Sequence, residues 1–156
     1  MNDDQARILR EIVRGQSVAA LGTLHDGEPF VSMVPYARLA GQPDFIIHVS
    51  RLAAHTRDML ASARVSLLIM ADASQSAQSR ARVTVQGDAR RLETGSAEYA
   101  AARAAYLSRF PDAAHFFELA DFSLFAIAPV SARVVGGFAQ AFSVGAESLA
   151  RVLREA

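Results

Sequence analysis

The chain has 156 residues, about the size of one ordinary domain, so we expect a single domain over residues 1–156. It contains no cysteine, which excludes disulfides, thiolate metal sites and thiol catalysis. Sixteen basic and sixteen acidic residues cancel, so the net charge gives no sign of nucleic-acid binding.

The N-terminal segment is charged throughout and lacks the apolar run and small-residue cleavage site of a secretion signal. No other stretch reaches the length of a transmembrane helix. We therefore expect a cytoplasmic protein that does not enter a membrane.

A helix and a hairpin are predicted first. Residues 3–14 begin with acids and place apolar residues on one side, which predicts an amphipathic helix that stops at Gly15. The apolar runs 17–24 and 30–37 flank the pair Asp26-Gly27, which is typical of a tight β-hairpin turn.

A strand, a second helix and another strand follow. Aliphatic and β-branched residues at 44–50 and 64–70 predict the strands, and the residues between them predict a helix that starts at Ser50. One stripe of this helix is expected to face inward, and it consists of Leu52, His55, Thr56, Met59 and Leu60.

The next part of the chain predicts a long strand and a third helix. Between residues 80 and 92 apolar and polar residues alternate, as in a strand with one buried face, and Gly87 predicts a bulge or bend. Ser96 is expected to cap the helix, with Glu98 in its first turn, and Pro111 to end it.

Two further strand regions, at 121–129 with its continuation and at 137–144, precede a short amphipathic helix at the C-terminus. About six to seven strands joined mainly by hairpins predict a mainly β protein, an antiparallel β-barrel packed against helices. The regular alternation of strands and helices that a doubly wound parallel sheet requires is absent from the sequence.

The passage from strand to helix at Ser50 is the most informative part of the sequence. Free backbone N–H groups and the helix dipole favour an anion at such a passage, and Ser50 and Arg51 could both contact a phosphate. A second interpretation stays open, in which Ser50 only caps the helix, Arg51 is solvated and His55 is a buried histidine without a ligand.

Signatures of other chemistry are weak or missing. The histidines are scattered without a recognisable ligand spacing, so no metal site is predicted. The P-loop, the dinucleotide-binding G-x-G-x-x-G pattern and the G-x-S-x-G nucleophile elbow do not occur in the sequence. Two glycines at 136 and 137 could let a ligand approach the backbone, and Phe138 and Phe142 could stack on an aromatic ring or could belong to the core.

Five segments follow one another between residue 17 and about residue 150: PFVSMVPYA, FIIHVSRLAAHTRDML, RVSLLIM, DFSLFAIAP and GGFAQAF. In this order they resemble the pyridoxamine 5′-phosphate oxidase-related family of FMN-binding split β-barrels, and most closely its haem-utilisation (HugZ/HutZ-like) branch. The resemblance implies a homodimer with cofactor sites in the subunit interface.

The resemblance also implies a set of cofactor contacts by position. Those around the flavin phosphate are Ser50, Arg51, His55 and Thr56; those along the flavin are Ser32, Val34, Pro35 and Tyr36; those that reach across from the other subunit are Arg82 and Gln86; and Phe138 is added as a stacking residue. Leu52 stands where true pyridoxamine phosphate oxidases have a phosphate-binding lysine, and the chain lacks their tryptophan, so we do not expect oxidation of vitamin B6.

Three functions remain open at this stage. The first is an FMN-dependent oxidoreductase whose small-molecule substrate the sequence does not identify, with no side chain that is an obvious catalytic acid or base. The second, implied by the haem-utilisation branch, is a protein that binds or degrades haem, with Asp121 and either His55 or His115 taking part. The third is a flavin-binding module without turnover.

Overall fold

The computed structural model describes residues 1–72, 76, 78–137 and 140–156, which form one antiparallel sheet with helices packed on it. The strands are β1 (Val18–His25), β2 (Glu28–Pro35), β3 (Ala37–Arg38), β4 (Phe45–Ser50), β5 (Arg64–Met70), β6 (Arg82–Arg91), β7 (Phe122–Gly137) and β8 (Gln140–Gly145). The helices are α1 (Asp3–Gly15), α2 (Ala54–Ala61), α3 (Ala97–Arg109), a 3₁₀ helix (Pro111–Glu118) and α4 (Ala146–Arg154). None of the described helices is long and apolar enough to cross a membrane.

The strands are ordered β2-β1-β5-β6-β7-β4-β3, with β8 paired to β7. The long strand β7 pairs with β6 on one side and divides its other side between β4, at residues 122–127, and β8, at residues 131–137. A strand shared in this way must bend, and the sheet curls into the predicted split barrel. The prediction of a mainly β, antiparallel fold is confirmed, with the two-residue β3 as an additional strand.

The hairpin between β1 and β2 has the predicted tight turn. Asp26 and Gly27 both adopt positive φ angles, 52° and 84°, which a type I′ turn requires at its two central residues. The turn fixes the register of β1 against β2 from His25↔Glu28 to Val18↔Pro35.

The predicted irregularity at Gly87 is a β-bulge. The register of β6 against β7 shifts between Gln86 and Gly87, at the place where β7 changes from pairing with β4 to pairing with β8. A Cβ atom on Gly87 would lie 2.6 Å from the carbonyl oxygen of Ala128. Only glycine allows the two backbones to approach this closely.

Two hydrophobic clusters hold the helices on the sheet. The larger one fills the inside of the barrel and includes the apolar faces of α1 and α4, with Leu9, Val13 and Leu149 fully buried. The smaller one lies between α3 and the other face of β4 and β7, around Tyr106 and Leu124. Ser96 caps α3 as predicted, because its side chain accepts a hydrogen bond from the Tyr99 N–H.

The prediction for α2 is wrong in two respects. The helix begins at Ala54 and not at Ser50, because residues 50–53 form a turn in which the Ala53 N–H donates to the Ser50 carbonyl. Leu52 and Leu60 do not face inward but are 80% and 56% exposed. Of the expected stripe, Thr56 and Met59 are buried and His55 is half-buried.

We predict that Gly87→Ala destabilises the protein by about 2 kcal/mol and lowers Tm by roughly 5 °C, because the new methyl group must push β6 away from the backbone of β7. Gly15→Ala is the matched control. A Cβ at Gly15, the last residue of α1, meets no atom within 4 Å, so this variant should melt at or slightly above the wild-type temperature. Thermal unfolding followed by circular dichroism compares the two, and equal Tm values would contradict the close approach.

Candidate functional site

Polar side chains gather at one end of the barrel, which we call the α2 end. There β4 ends at Ser50 opposite Phe122, the first residue of β7, and β6 ends at Arg91. The start of β5 and the hairpin between β1 and β2 lie at the same end, and α2 packs over β1. Antiparallel pairing therefore brings together segments that are far apart in the sequence.

The Ser50 hydroxyl is occupied by contacts within the chain. It donates to Oδ2 of Asp121 at 2.8 Å and accepts the backbone N–H of Leu52 at 3.1 Å. The backbone N–H of Arg51 donates to the carbonyl oxygen of Asp121 at 2.6 Å, which joins the turn to the start of β7. A carboxylate thus lies beside the residue that was expected to contact a phosphate.

Thr56 and Arg51 differ in how many of their hydrogen-bond donors are used within the chain. The Thr56 hydroxyl is buried and donates to the carbonyl oxygen of Ser50 at 2.6 Å. The guanidinium of Arg51 is exposed and makes one hydrogen bond within the described residues, from Nη2 to the carbonyl oxygen of Ala120 at 3.1 Å. Among the side chains expected around a phosphate, Arg51 keeps the most N–H groups for an added ligand.

His55 and Ser32, both predicted site residues, are in contact. Nδ1 of His55 lies 3.0 Å from the Ser32 hydroxyl. Burial lowers the pKa of His55 below its usual value, although the nearby Asp58 carboxylate acts in the opposite direction, so the imidazole is neutral at neutral pH. In the tautomer that donates Nδ1–H to Ser32, Nε2 keeps its lone pair, which is how proteins prepare a histidine for a metal.

A second polar cluster, centred on Asp58 of α2, was missed at the level of sequence. The Asp58 carboxylate is buried and accepts two hydrogen bonds, from the Thr23 hydroxyl at 2.8 Å and from Nδ1 of His25 at 2.7 Å. Burial alone would raise the pKa of Asp58, but these hydrogen bonds and the charges of His25 and Arg57 lower it below its usual value. The sequence does contain one sign of this cluster. Thr23 and His25 lie two residues apart on a predicted strand and so share one face of it.

The remaining candidates on and after β2 lie away from the α2 end, Val34 and Tyr36 in the core and Pro35 on the outer face beside Val18. Val34 and Tyr36 are buried, and Pro35 is half-buried at the end of the strand. The Tyr36 hydroxyl donates to the carbonyl oxygen of Val13 at 2.7 Å, and burial raises its pKa to about 12 against the effect of nearby arginines. Within this chain these three residues support the barrel and do not line the α2 end.

The candidates on β6 lie on the outer face of the sheet. Gln86 is exposed and lines a groove of about 390 Å³ together with Val31 and Ser66. Arg82, on the same face, donates from Nη1 to the carbonyl oxygen of Arg80. One chain therefore does not bring Arg82 and Gln86 to His55, and Phe138 lies outside the described residues.

The other histidines have different surroundings. His48 stacks on the ring of Phe117 with centroids 3.7 Å apart, and burial, aided by Arg103, lowers its pKa to about 4. His115 is exposed on the 3₁₀ helix. His48 is thus held by aromatic packing, whereas His55 and His25 each hold Nδ1 in a hydrogen bond at the α2 end.

Comparisons with known proteins give one family match and relatives whose names refer to haem. The model of the family described as CREG, beta-barrel matches residues 1–149. The chain is 38% identical to the chloroplastic non-canonical haem oxygenase HOZ of Arabidopsis thaliana over 138 residues. The aligned region covers 86% of this chain and 41% of HOZ. The haem oxygenase HutZ of Vibrio cholerae is 27% identical over 145 residues, or 90% of the chain and 81% of HutZ. The chain thus spans less than half the length of HOZ.

Solved structures agree with these matches. A haem-binding protein from Mycobacterium smegmatis superposes with a TM-score of 0.87 and 33% identity, over 97% of this chain and 62% of that one. A FAD-binding protein from Mesorhizobium loti superposes with a TM-score of 0.65 and 17% identity, over 85% of this chain and 92% of that one, and shows the fold alone. The split-barrel fold and the resemblance to the haem-utilisation branch are confirmed.

We predict that Asp58→Asn lowers stability at neutral pH by about 2 kcal/mol, because an amide cannot accept both hydrogen bonds with the strength of a carboxylate. Since the pKa of Asp58 is lower in the folded chain than its ordinary 3.8, its ionised form stabilises the fold above that pH. This contribution is lost as the pH falls through the folded value.

Thermal melts of wild type and Asp58→Asn between pH 7 and pH 3 test this, and the difference in Tm should narrow below about pH 4. Glu118 offers the control, because it is exposed and forms no salt bridge among the described residues, so Glu118→Gln removes one negative charge and should leave Tm unchanged. A difference that stays constant over the whole pH range would show that the charge of Asp58 is not what stabilises the cluster.

Proposed function

Because the chain belongs to the CREG β-barrel family, we propose that it binds haem at the α2 end of the barrel, with Nε2 of His55 as the iron ligand from this chain. The observation that carries this proposal is the 3.0 Å contact between Nδ1 of His55 and the Ser32 hydroxyl, because the tautomer that donates Nδ1–H to Ser32 has its Nε2 lone pair available for a metal. It is supported by the 33–38% identity to proteins named for haem. When bound, haem would supply a redox-active iron.

The surroundings of His55 suit an iron ligand. The imidazole is neutral because burial lowers its pKa, and a ligating imidazole must be neutral. Asp58, one turn further along α2, and Asp121, beside Ser50, place two carboxylates near a cation bound at this end. The chain's own residues would orient the imidazole and offset part of the iron's positive charge.

FMN is the competing ligand, and the same residues fit its phosphate less well. The hydroxyls of Ser50 and Thr56 already donate within the chain, and the carboxylate of Asp121 lies 2.8 Å from the Ser50 oxygen. A phosphate placed there would meet that carboxylate and would have to break existing hydrogen bonds. These contacts favour haem over FMN at the Ser50 turn.

Degradation of haem is a second candidate function, favoured by the 38% identity to a protein named as a haem oxygenase. The test is to incubate the haem-loaded protein with a reductant and oxygen. Loss of the haem absorbance together with release of iron to a chelator would support turnover, whereas a stable spectrum would support binding alone.

The partner that we propose is a second copy of the chain, docked on the outer face of β1, β2 and β5. Outward positions of an antiparallel sheet that faces water are normally polar, yet Val31 and Met33 on β2 are 68% and 62% exposed. Val18 and Met70 on the neighbouring strands extend this apolar face. With no net charge, two copies do not repel each other.

The groove that contains Gln86 lies on this outer face, next to Val31. A second copy docked there would cover the groove. In such a dimer Gln86 of one subunit would lie in the interface, as the resemblance to interfacial cofactor sites implies.

For haem binding, we expect haemin added to the purified protein to give a shifted Soret band at a stoichiometry of one per chain. His55→Ala should weaken binding about tenfold or more, because the iron loses its protein ligand. His115→Ala, which removes an exposed histidine, should bind as the wild type does. A yellow protein with a flavin spectrum, or equal affinities for the two variants, would refute haem ligation by His55.

For dimerisation, we expect light scattering after gel filtration to give twice the chain mass for the wild type. The double variant Val31→Glu, Met33→Glu should be monomeric at micromolar concentration, because it places buried negative charges opposite each other in the interface. Leu119→Glu changes an exposed leucine outside β1, β2 and β5 and should stay dimeric. A monomeric wild type, or a dimeric double variant, would contradict the proposed interface.

A further inference from the structure

A pocket of about 540 Å³ opens beside Arg51 at the α2 end of the barrel, and we call it the arginine pocket. Its lining includes the two arginines Arg51 and Arg91, the hydroxyl-bearing Thr94 and Ser123, and Phe122, whose ring also packs against Phe116. Neither arginine forms a salt bridge with any carboxylate in the part of the chain that the structure describes.

The two arginines reach the pocket from opposite sides of β7. Arg51 follows the last residue of β4, and Arg91 is the last residue of β6, and both of these strands pair with the start of β7. The Leu92 N–H donates to the carbonyl oxygen of Leu124 at 2.9 Å, which holds the chain after Arg91 against β7. The backbone positions of both arginines are therefore fixed by hydrogen bonds to β7 and to the turn beside it.

The charge of the pocket favours an anion. Glu93 is the one carboxylate that lines it among the described residues, against two guanidinium groups. The carboxylate of Asp121 lies close by, where it accepts the Ser50 hydroxyl, but Asp121 does not line the pocket. Guanidinium groups bind carboxylate or phosphate in a bidentate way, and the hydroxyls of Thr94 and Ser123 can donate to the same oxygens.

We infer that the arginine pocket is an oxyanion site that holds the carboxylate side chains of a tetrapyrrole, with Arg91 as a ligand-binding residue beside Arg51. This inference rests on the proposed haem binding and deepens it. Arg51 lies in the turn that leads into α2, and His55 lies in the first turn of that helix, so a ligand whose ring contacts His55 can extend a charged edge toward the pocket. Phe122 offers an apolar wall to the same ligand.

The test uses metal-free protoporphyrin IX and its dimethyl ester, because neither probe depends on ligation of iron by His55. Fluorescence titration should show that the wild type binds the diacid about tenfold or more tightly than the diester. Arg51→Ala and Arg91→Ala should each weaken the diacid about tenfold and leave the diester unchanged. Arg151→Ala, which removes an exposed arginine of α4, should match the wild type for both probes.

FMN and riboflavin form the second arm, since phosphate is the other oxyanion that two guanidinium groups bind. The affinity ratio of FMN to riboflavin is compared with the affinity ratio of porphyrin diacid to diester. If the FMN ratio is the larger one and falls in the arginine variants, the assignment to tetrapyrrole carboxylates is overturned. Equal binding of diacid and diester, or an Arg91→Ala variant that binds like the wild type, would overturn the arginine pocket while leaving haem binding by His55 intact. A wild type that binds neither porphyrin nor haemin would refute both proposals.

Discussion

The pairing of β7 determines where the Ser50 turn and the arginine pocket lie. This strand of 16 residues pairs with β6 on one side and with both β4 and β8 on the other. It can serve three partners only if it bends, and the bulge opposite it requires a glycine at position 87, where any Cβ would meet the backbone of β7. The bend places the end of β4, the end of β6 and the start of β7 at one end of the barrel.

The α2 end satisfies many of its polar groups from within the chain. Ser50 and Thr56, which a phosphate would need, donate to Asp121 and to the Ser50 carbonyl oxygen. The two histidines at this end also hold Nδ1 within the chain, His55 at 3.0 Å from the Ser32 hydroxyl and His25 at 2.7 Å from the Asp58 carboxylate. The hydroxyl groups at this end therefore have their donors in hydrogen bonds within the chain, whereas Nε2 of each imidazole can offer a lone pair to a ligand. For this reason we proposed a metal-containing ligand and not a phosphate.

Alternation along the strands separates the predicted cofactor residues into two groups. On β2, Val34 faces the core and Val31 and Met33 face outward, and on β6, Gln86 faces outward between buried neighbours. Residues of the outer face cannot meet His55 within one chain. Both groups can contribute to one ligand only if a second copy docks on the outer face, so the proposed dimer and the proposed cofactor site depend on each other.

Local patterns in the sequence determined the elements that depend on near neighbours: the type I′ turn at Asp26-Gly27, the bulge at Gly87, the cap at Ser96 and the amphipathic helices at both termini. Tertiary structure alone decided the role of Ser50, because its hydroxyl bonds to a carboxylate 71 positions away. Ser50 therefore lies before α2, which begins at Ala54. Tertiary structure also decided the cluster around Asp58, whose partner Thr23 is 35 positions away. Turns and caps are specified by backbone angles and hydrogen bonds over a few residues, whereas the partner of a buried polar side chain is set by which distant strands the sheet brings to the same end.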